Sequence, residues 1–276
     1  MTGRVLPSMT VALVAAVLAS GHLSTAAAPA TVGMIKGRVR LSAQPPGNVV
    51  IRMGLDPMCV KINAGKRVLQ EAVMTSADGS LANVFVRVQG SFPRMPVPAE
   101  PVTIDQRGCV YTPRMVGARV GQTLQVRNSD PLLHNVHSLS ASSNGFNIGQ
   151  PLAGMVYQFR LKDEEIMLRL KCYVHRWMTA YIGVVNHPYV AVSGRDGTFE
   201  IENVPVGTYT IHTWHERYGD LTQPVRIRSG ATTTINFAYT GAEKGPTAGV
   251  QELTFPDGSD TTLVTGRIFS EARGTP

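Results

Sequence analysis

Residues 195–209 read RDGTFEIENVPVGTY, and this stretch predicts a β fold. An Asp-Gly turn at 196–197 is followed by alternating polar and apolar residues at 198–201. A Pro-Val-Gly turn at 205–207 is followed by a second alternating run at 208–212. Alternation with a period of two is typical of a strand with one buried face, and Gly and Pro favour the turns between strands. The stretch therefore predicts two neighbouring strands.

The same alternation recurs along the chain. Short runs of this kind occur at 35–41, 83–88, 123–127, 158–161 and 232–237. Gly and Pro are plentiful, with 27 and 18 residues, and no segment has a convincing helical period. Regular short strands with Gly- and Pro-containing turns between them indicate an all-β protein of sandwich or barrel type.

Length and composition bound the fold and exclude several functions. A chain of 276 residues with 43% hydrophobic and 16% charged residues is long enough for one or two domains with sizeable cores. The formal net charge is +7, but Lys and Arg are scattered, so nucleic acid is not an expected partner. The Gly-x-Ser-x-Gly, Walker and Gly-x-Gly-x-x-Gly motifs are absent from the sequence, which gives no support to hydrolase or nucleotide chemistry.

The first 30 residues have the pattern of a secretory signal peptide. Arg4 is their only charged residue, an apolar run follows at 9–19, and small residues occupy 24–30. The apolar run is too short to span a bilayer comfortably, and no later segment reaches the roughly 18 apolar residues that a span needs. We therefore expect a periplasmic or secreted protein without a stable membrane span, in a compartment where disulfides persist.

Residues 171–178, KCYVHRWM, contain a possible metal-binding motif. Cys172, His175 and Met178 follow one another at intervals of three residues, and His134 and His137 lie upstream, after the strand at 123–127. A thiolate, two imidazoles and a weak thioether are the ligands of blue-copper electron-transfer sites. The alternative is that the thiol and the thioether only fill an apolar core.

At these residues the chain resembles the cupredoxin (plastocyanin-like) family, with an amicyanin-type copper loop. The resemblance covers about residues 105–186 and includes the segment VGQTL at 120–124, before an Asn-Ser-Asp turn at 128–130. It implies a Greek-key β-sandwich, one type 1 copper, electron exchange with redox partner proteins and no enzymatic activity. The ligands that it implies are His134, Cys172, His175 and Met178.

The resemblance also implies roles for residues around the ligands. Asn135 would tie the two ligand loops together near the cysteine sulfur. His137 would be structural. Related loops often have Pro after the loop histidine, whereas this chain has Arg176, which places a positive charge beside the ligand. We expect Trp177 either to pack as a lid over the site or to serve as an exposed docking contact.

The chain has three cysteines, an odd number. If Cys172 binds copper, Cys59 and Cys109 remain to form a disulfide in an oxidising compartment. The alternative is that these two thiols help to hold a second metal.

A second resemblance lies in the stretch quoted first. Asp-Gly-x-Phe at 196–199 and Pro-x-Gly-x-Tyr at 205–209 resemble the carboxypeptidase regulatory-like domain, which implies a transthyretin-like β-sandwich. The segments 33–41 and 81–88 resemble the opening strands of that family. The copper-binding part is therefore either inserted into this second sandwich or followed by it in a simple series.

These observations predict four segments. They are a signal peptide at 1–30, a cupredoxin-like domain at 31–186, a carboxypeptidase regulatory-like sandwich at 187–241 and a flexible tail with at most one late strand at 242–276. Strands 33–41 and 81–88 lie within the cupredoxin-like range, and the alternative assigns them to the second sandwich.

The predicted function is single-electron transfer by a type 1 copper protein. The alternatives are a copper carrier and a structural β-sandwich binding module. His187, His212 and His215 are expected to be hydrogen-bonded or surface residues, with a second metal site as the alternative.

Overall fold

The computed structural model describes residues 1–2, 31–245, 250–254 and 260–264. The predicted signal peptide at 1–30 lies outside the described residues apart from its first two positions. The described chain consists mainly of strands and turns, which confirms the predicted all-β fold class. Within the described ranges, no helix combines the length and the apolar character that crossing a membrane requires.

The strands follow one another with short turns between them. In chain order they are β1 (Val32–Leu41), β2 (Phe85–Gln89), β3 (Val102–Gln106), β4 (Tyr111–Thr112), β5 (Met115–Arg119), β6 (Thr123–Asn128), β7 (His134–Leu139), β8 (Asn147–Gln150), β9 (Val156–Arg160), β10 (Glu165–Lys171), β11 (Thr179–Val185), β12 (Val190–Val192), β13 (Thr198–Pro205), β14 (Gly207–His215), β15 (Gly219–Ile227), β16 (Thr232–Thr234), β17 (Phe237–Tyr239), β18 (Val250–Thr254) and β19 (Asp260–Val264). A short helix, α1 (Pro57–Ile62), lies between β1 and β2.

Strands β3–β11, at residues 102–185, form what we call the central sandwich. One sheet has the strand order β5-β11-β10-β7-β8, and the other has the order β4-β3-β6-β9. Alternate residues of each strand point to opposite faces, so Leu124 and Val126 of β6 are fully buried between the sheets. Leu168 and Leu170 of β10 belong to the same core. The apolar alternation of the sequence thus builds this core directly.

Strands β1, β2 and β12–β17 form what we call the flanking sandwich. Its sheets have the orders β13-β1-β16, with β17 also paired to β1, and β12-β2-β14-β15. The buried side chains of Ile35, Val86, Ile211 and Phe237 meet in its core. Strand β1 pairs with β13 and strand β2 pairs with β14, so residues before the central sandwich bond to residues after it.

A third apolar cluster joins the two sandwiches. Phe85 of β2 and Trp214 of β14 pack there with Met115 and Val185 of the central sandwich. A Cβ atom at Gly183 would lie only 2.3 Å from the ring of Phe85, so the glycine makes room for that ring. This packing fixes the two sandwiches to one another.

Helix α1 has no counterpart among the sequence predictions. Its six residues are too few to show a helical period, but they carry a terminal signal, because Asp56 caps the helix and Pro57 begins it. In the segment predicted to be a tail with at most one late strand, β18 and β19 pair as an antiparallel hairpin. The remaining residues of that tail beyond 245 lie outside the described ranges.

Candidate metal centre

Three potential ligands meet at one end of the central sandwich. His134 is the first residue of β7, Cys172 follows the last residue of β10, and His175 lies in the loop that leads to β11. Because β10 pairs with both β7 and β11, these ends lie side by side. One side-chain donor atom from each of the three residues lies within 4.8 Å of the others, and all three residues are buried.

The two imidazoles face each other through their Nδ1 atoms. These atoms are 3.0 Å apart, and the ring centroids are 4.8 Å apart with the planes at 68°. The Sγ atom of Cys172 lies 3.9 Å from Nδ1 of His175. Two ring nitrogens and a sulfur therefore converge on one buried point.

The outer nitrogens of both rings bond to carboxylates. Nε2 of His134 lies 2.9 Å from Oδ2 of Asp130, and Nε2 of His175 lies 2.8 Å from Oδ2 of Asp56. An ionised carboxylate only accepts, so both Nε2 atoms carry the proton and donate it. The two Nδ1 atoms then present lone pairs to each other at 3.0 Å, and this arrangement needs a proton or a metal cation between them.

The sulfur of Cys172 accepts two backbone hydrogen bonds. The N–H of Asn135 donates over 3.4 Å and the N–H of His175 over 3.2 Å. Burial opposes ionisation of the thiol, but hydrogen bonding with the His175 side chain and with these two N–H groups outweighs it. The net effect lowers the pKa of Cys172. The thiolate is the form that binds metals.

Asn135 connects the two segments that carry the potential ligands. Its Oδ1 accepts a hydrogen bond from the N–H of Tyr173 over 3.2 Å, and its Nδ2 donates to Oδ1 of Asn147 over 2.6 Å. The ligand loop after Cys172 is thus bonded to the beginning of β7.

Met178 closes the loop and lies in the core of the central sandwich. Only 1% of the residue is exposed, and it belongs to the same apolar cluster as Cys172. The N–H of Cys172 donates to the carbonyl oxygen of Met178 over 3.4 Å, and the N–H of Met178 donates to that of His175 over 2.9 Å. These bonds hold the loop in a tight turn.

Asp130 holds His134 from inside the fold. Its carboxylate also accepts hydrogen bonds from the backbone N–H groups of Gly108 and Cys109, over 2.7 and 2.8 Å. Burial would raise the pKa of Asp130, but the hydrogen bonds from His134 and from these N–H groups outweigh it and lower that pKa. Asp130 ends the Asn-Ser-Asp turn at 128–130, four residues before His134, and the sequence predicts no partner for it.

Asp56 holds His175 from a segment outside the central sandwich. The hydrogen bond from His175 and those from the N–H groups of Cys59 and Met58 hold the pKa of Asp56 below its ordinary value. Burial would lower the pKa of His175, but hydrogen bonds with Cys172 and Asp56 outweigh it and raise that pKa. Only an Asp-Pro helix start marked this segment in the sequence, and nothing there linked it to the ligand loop.

A disulfide lies against the same histidine. Cys59 and Cys109 are joined with an S–S distance of 2.02 Å, and Sγ of Cys59 lies 3.5 Å from Nε2 of His175. Trp177 donates from Nε1 to the carbonyl oxygen of Cys109 over 2.8 Å, and its ring centroid is 5.1 Å from that of His175. The half-buried Trp177 thus packs beside His175.

His187, His212 and His215 lie outside this centre. Nδ1 of His187 accepts a hydrogen bond from Tyr189, and burial with two nearby arginines lowers the pKa of His187 to about 4. His212 pairs with Asp220 over 2.7 Å. Burial, with nearby arginines, lowers the pKa of His215 to about 3. In the described part of the chain, none of these three joins a group of potential metal ligands.

His137 is close to the centre but separate from it. Its ring packs edge-on against Tyr173 at a centroid distance of 5.0 Å, and burial lowers its pKa. It does not belong to any group of potential metal ligands among the described residues.

Neither a protein-family model nor a curated protein matches this chain. Similar solved structures include the copper-containing nitrite reductase from Thermus scotoductus SA-01, which is 18% identical over 34% of this chain with a TM-score of 0.28. That match spans 24% of the reductase chain, about a quarter of its length.

Two smaller proteins are matched over nearly their whole length. A purple cupredoxin from Nitrosopumilus maritimus is 22% identical over 30% of this chain and 97% of its own, with a TM-score of 0.26. A mutant of amicyanin in the Cu(I) form is 16% identical over 36% of this chain and 97% of its own, with a TM-score of 0.28. The likeness to these structures extends over about a third of this chain.

Proposed function

We propose that this protein is a type 1 copper protein that carries single electrons. One observation supports the proposal above the others. Both outer imidazole nitrogens donate to carboxylates, so the inner Nδ1 atoms of His134 and His175 face each other at 3.0 Å with their lone pairs, and the Sγ atom of Cys172 lies 3.9 Å from Nδ1 of His175. A buried set of two imidazoles and one thiolate suits copper in both of its oxidation states.

The residues of the chain fit such an ion and determine how it would be held. His134, Cys172 and His175 would be the strong ligands, and Met178 would be the weak fourth one. Copper, when bound, supplies one-electron chemistry between Cu(I) and Cu(II). The sheet ends hold the ligand segments, Asn135 bonds them to each other, and burial keeps water from the thiolate.

The test is copper titration of the purified full-length mature protein. An intense visible thiolate-to-copper absorption band is expected with Cu(II), and Cys172→Ser should abolish it. His137→Asn is the matched control, because His137 lies three residues after His134 on the same strand without joining the ligand group. The absence of a band from the folded protein in the presence of Cu(II) would contradict the proposal.

Voltammetry separates electron transfer from metal delivery. A reversible one-electron wave that persists in the presence of a copper chelator is expected for an electron carrier. A band without a reversible wave, with rapid loss of copper to the chelator, would favour a copper carrier. The complete burial of His134, Cys172 and His175 supports the first outcome, because a buried ion exchanges slowly. A structural binding module would bind no copper at all.

We also propose a location and a division of the chain. A signal-peptide pattern at 1–30 and the disulfide between Cys59 and Cys109 support a periplasmic or secreted protein. The pairing of β1 with β13 and of β2 with β14 supports insertion of the copper-binding sandwich into a second one. Redox partner proteins would exchange electrons near His175.

A further inference from the structure

Both ligand imidazoles are held from outside by a carboxylate, but the two carboxylates have different origins. Asp130 lies in the turn just before β7 and belongs to the central sandwich. Asp56 lies at the start of α1, in a segment between β1 and β2, which are strands of the flanking sandwich. We call residues 51–63 the cap, because this segment lies against the outer edge of His175.

His175 is only 1% exposed, and the cap contacts the outer edge of its ring. Asp56 bonds to its Nε2 over 2.8 Å, and the Sγ atom of Cys59 lies 3.5 Å from the same nitrogen. The disulfide to Cys109 fastens the cap to the central sandwich. Asn63 adds a further hydrogen bond, from Nδ2 to the carbonyl oxygen of Gly108 over 3.0 Å.

We propose that Asp56 is a positioning residue for the ligand His175, supplied by the cap to complete the copper centre. This inference rests on the proposed copper function. The carboxylate holds the proton on Nε2, so the lone pair of Nδ1 points toward the metal position, and it fixes the orientation of the ring. Its negative charge also favours the more positive Cu(II) state over Cu(I).

The two oxygens of Asp56 accept hydrogen bonds from different groups. A substitution can therefore remove the bond to His175 and keep the bonds to α1. Oδ1 accepts from the N–H groups of Met58 and Cys59 over 2.8 and 3.1 Å and so caps α1. Oδ2 accepts from His175. Asn caps helices as well as Asp does, so Asp56→Asn retains the hydrogen bonds that begin α1 and removes the charged acceptor from His175.

Asp220 offers a matched control. Its Oδ1 lies 2.7 Å from Nε2 of His212, which is the same Asp–His pairing, in the flanking sandwich and outside the metal centre. Asp220→Asn therefore removes one carboxylate from one histidine without touching a proposed ligand. Asp56→Ala, which removes both tasks of Asp56, shows the added cost of losing the helix cap.

The first measurement compares the copper-loaded proteins. Asp56→Asn is expected to weaken Cu(II) binding about 10- to 100-fold. It is also expected to shift the Cu(I)/Cu(II) equilibrium toward Cu(I) by about tenfold, which is 59 mV higher in potential for one electron. Asp220→Asn should leave both quantities unchanged. Equal potentials and affinities in Asp56→Asn and the unmodified protein would overturn the inference.

The second measurement needs no metal. Nitrogen NMR of the apo protein in mildly alkaline buffer is expected to show the proton of His175 on Nε2, and Asp56→Asn should populate the other tautomer. An unchanged tautomer in that variant would also overturn the inference. If the unmodified protein gives no copper band, the proposed function fails, and the tautomer measurement still decides whether Asp56 positions His175.

Discussion

Nε2 of His175 lies 2.8 Å from Oδ2 of Asp56, although 119 positions separate the two residues in sequence. The candidate metal centre is therefore assembled from three parts of the chain: the cap, the turn and strand start at 130–135, and the ligand loop at 172–178. The cap contributes the carboxylate of Asp56, the segment 130–135 contributes His134, and the loop contributes Cys172 and His175. A substitution that breaks the contact between two of these parts should weaken metal binding more than it weakens the strand pairing of the sheets.

Asn135→Ala is expected to loosen the ligand loop. The change removes the acceptor for the N–H of Tyr173 and the donor to Asn147. Loss of such bonds at a half-buried site costs about 1–3 kcal/mol of unfolding free energy. Urea unfolding of the apo protein measures the loss, and copper titration measures the weaker binding.

The control for that substitution is Asn186→Ala. Asn186 is exposed and donates to Glu164 at the surface, so its removal should change stability by less than about 0.5 kcal/mol. Equal losses in the two variants would show that Asn135 has no special part in holding the loop.

Replacing both Cys59 and Cys109 with Ser should destabilise the protein by about 4 kcal/mol, because the bond closes a loop with a sequence separation of 50. It should also release the cap from His175 and raise the hydrogen-exchange rates of the amides of α1. Unfolding by urea and hydrogen exchange measure the two effects. An unchanged exchange rate in α1 would show that other contacts suffice to hold the cap.

Gly183→Ala should strain the junction between the sandwiches. The added methyl group would lie 2.3 Å from the Phe85 ring, and overpacking of this kind costs about 1–3 kcal/mol. Gly145→Ala is the control, because a Cβ at Gly145 meets nothing within 4 Å. Thermal unfolding measures the melting temperatures of the two variants, and Gly183→Ala should have the lower one. Similar melting temperatures would contradict the described packing.

Acid should destabilise the protein through buried neutral histidines. Burial, assisted by Arg87 and Arg119, lowers the pKa of His187 from 6.5 to about 4. Between these values the unfolded chain binds a proton that the folded protein does not bind, so the free energy of unfolding falls as the pH falls from 6.5 to about 4. The shift corresponds to about 3 kcal/mol.

His187→Phe tests this prediction. Phenylalanine retains the ring packing against Phe92 and Tyr189 and removes the titrating group. Between neutral pH and about pH 4, the free energy of unfolding of the variant should fall by about 3 kcal/mol less than that of the unmodified protein, as measured by urea unfolding. An identical loss in both proteins would assign the acid sensitivity to other groups.

Strands β6 and β9 of the central sandwich were predictable because burial and alternation are local properties, whereas the other seven strands of that sandwich were not predicted. The runs at 123–127 and 158–161 lie within β6 and at the end of β9, and both contribute to one small sheet. The motif at 171–178 was visible in the sequence for the same reason, since a loop between two strands keeps Cys172 and His175 close in sequence and in space.

Helix α1 and the role of Asp56 were not predictable in this way. A six-residue helix gives no periodic signal, and its position against His175 depends on packing between segments that are far apart in sequence. Asp130 was closer to prediction, since it lies four residues before His134, but a turn carboxylate is common and indicates no partner.

The split of the flanking sandwich around the central one has a consequence for how the chain is made. Strands β1 and β2 are synthesised before the central sandwich, and their partners β13 and β14 come after it. The central strands occupy one continuous stretch, 102–185, so they can pair as soon as that stretch has emerged. The core of the flanking sandwich must stay open until then, because its long-range pairings close last. The central sandwich can thus complete its strand pairing before the flanking sandwich closes beside it.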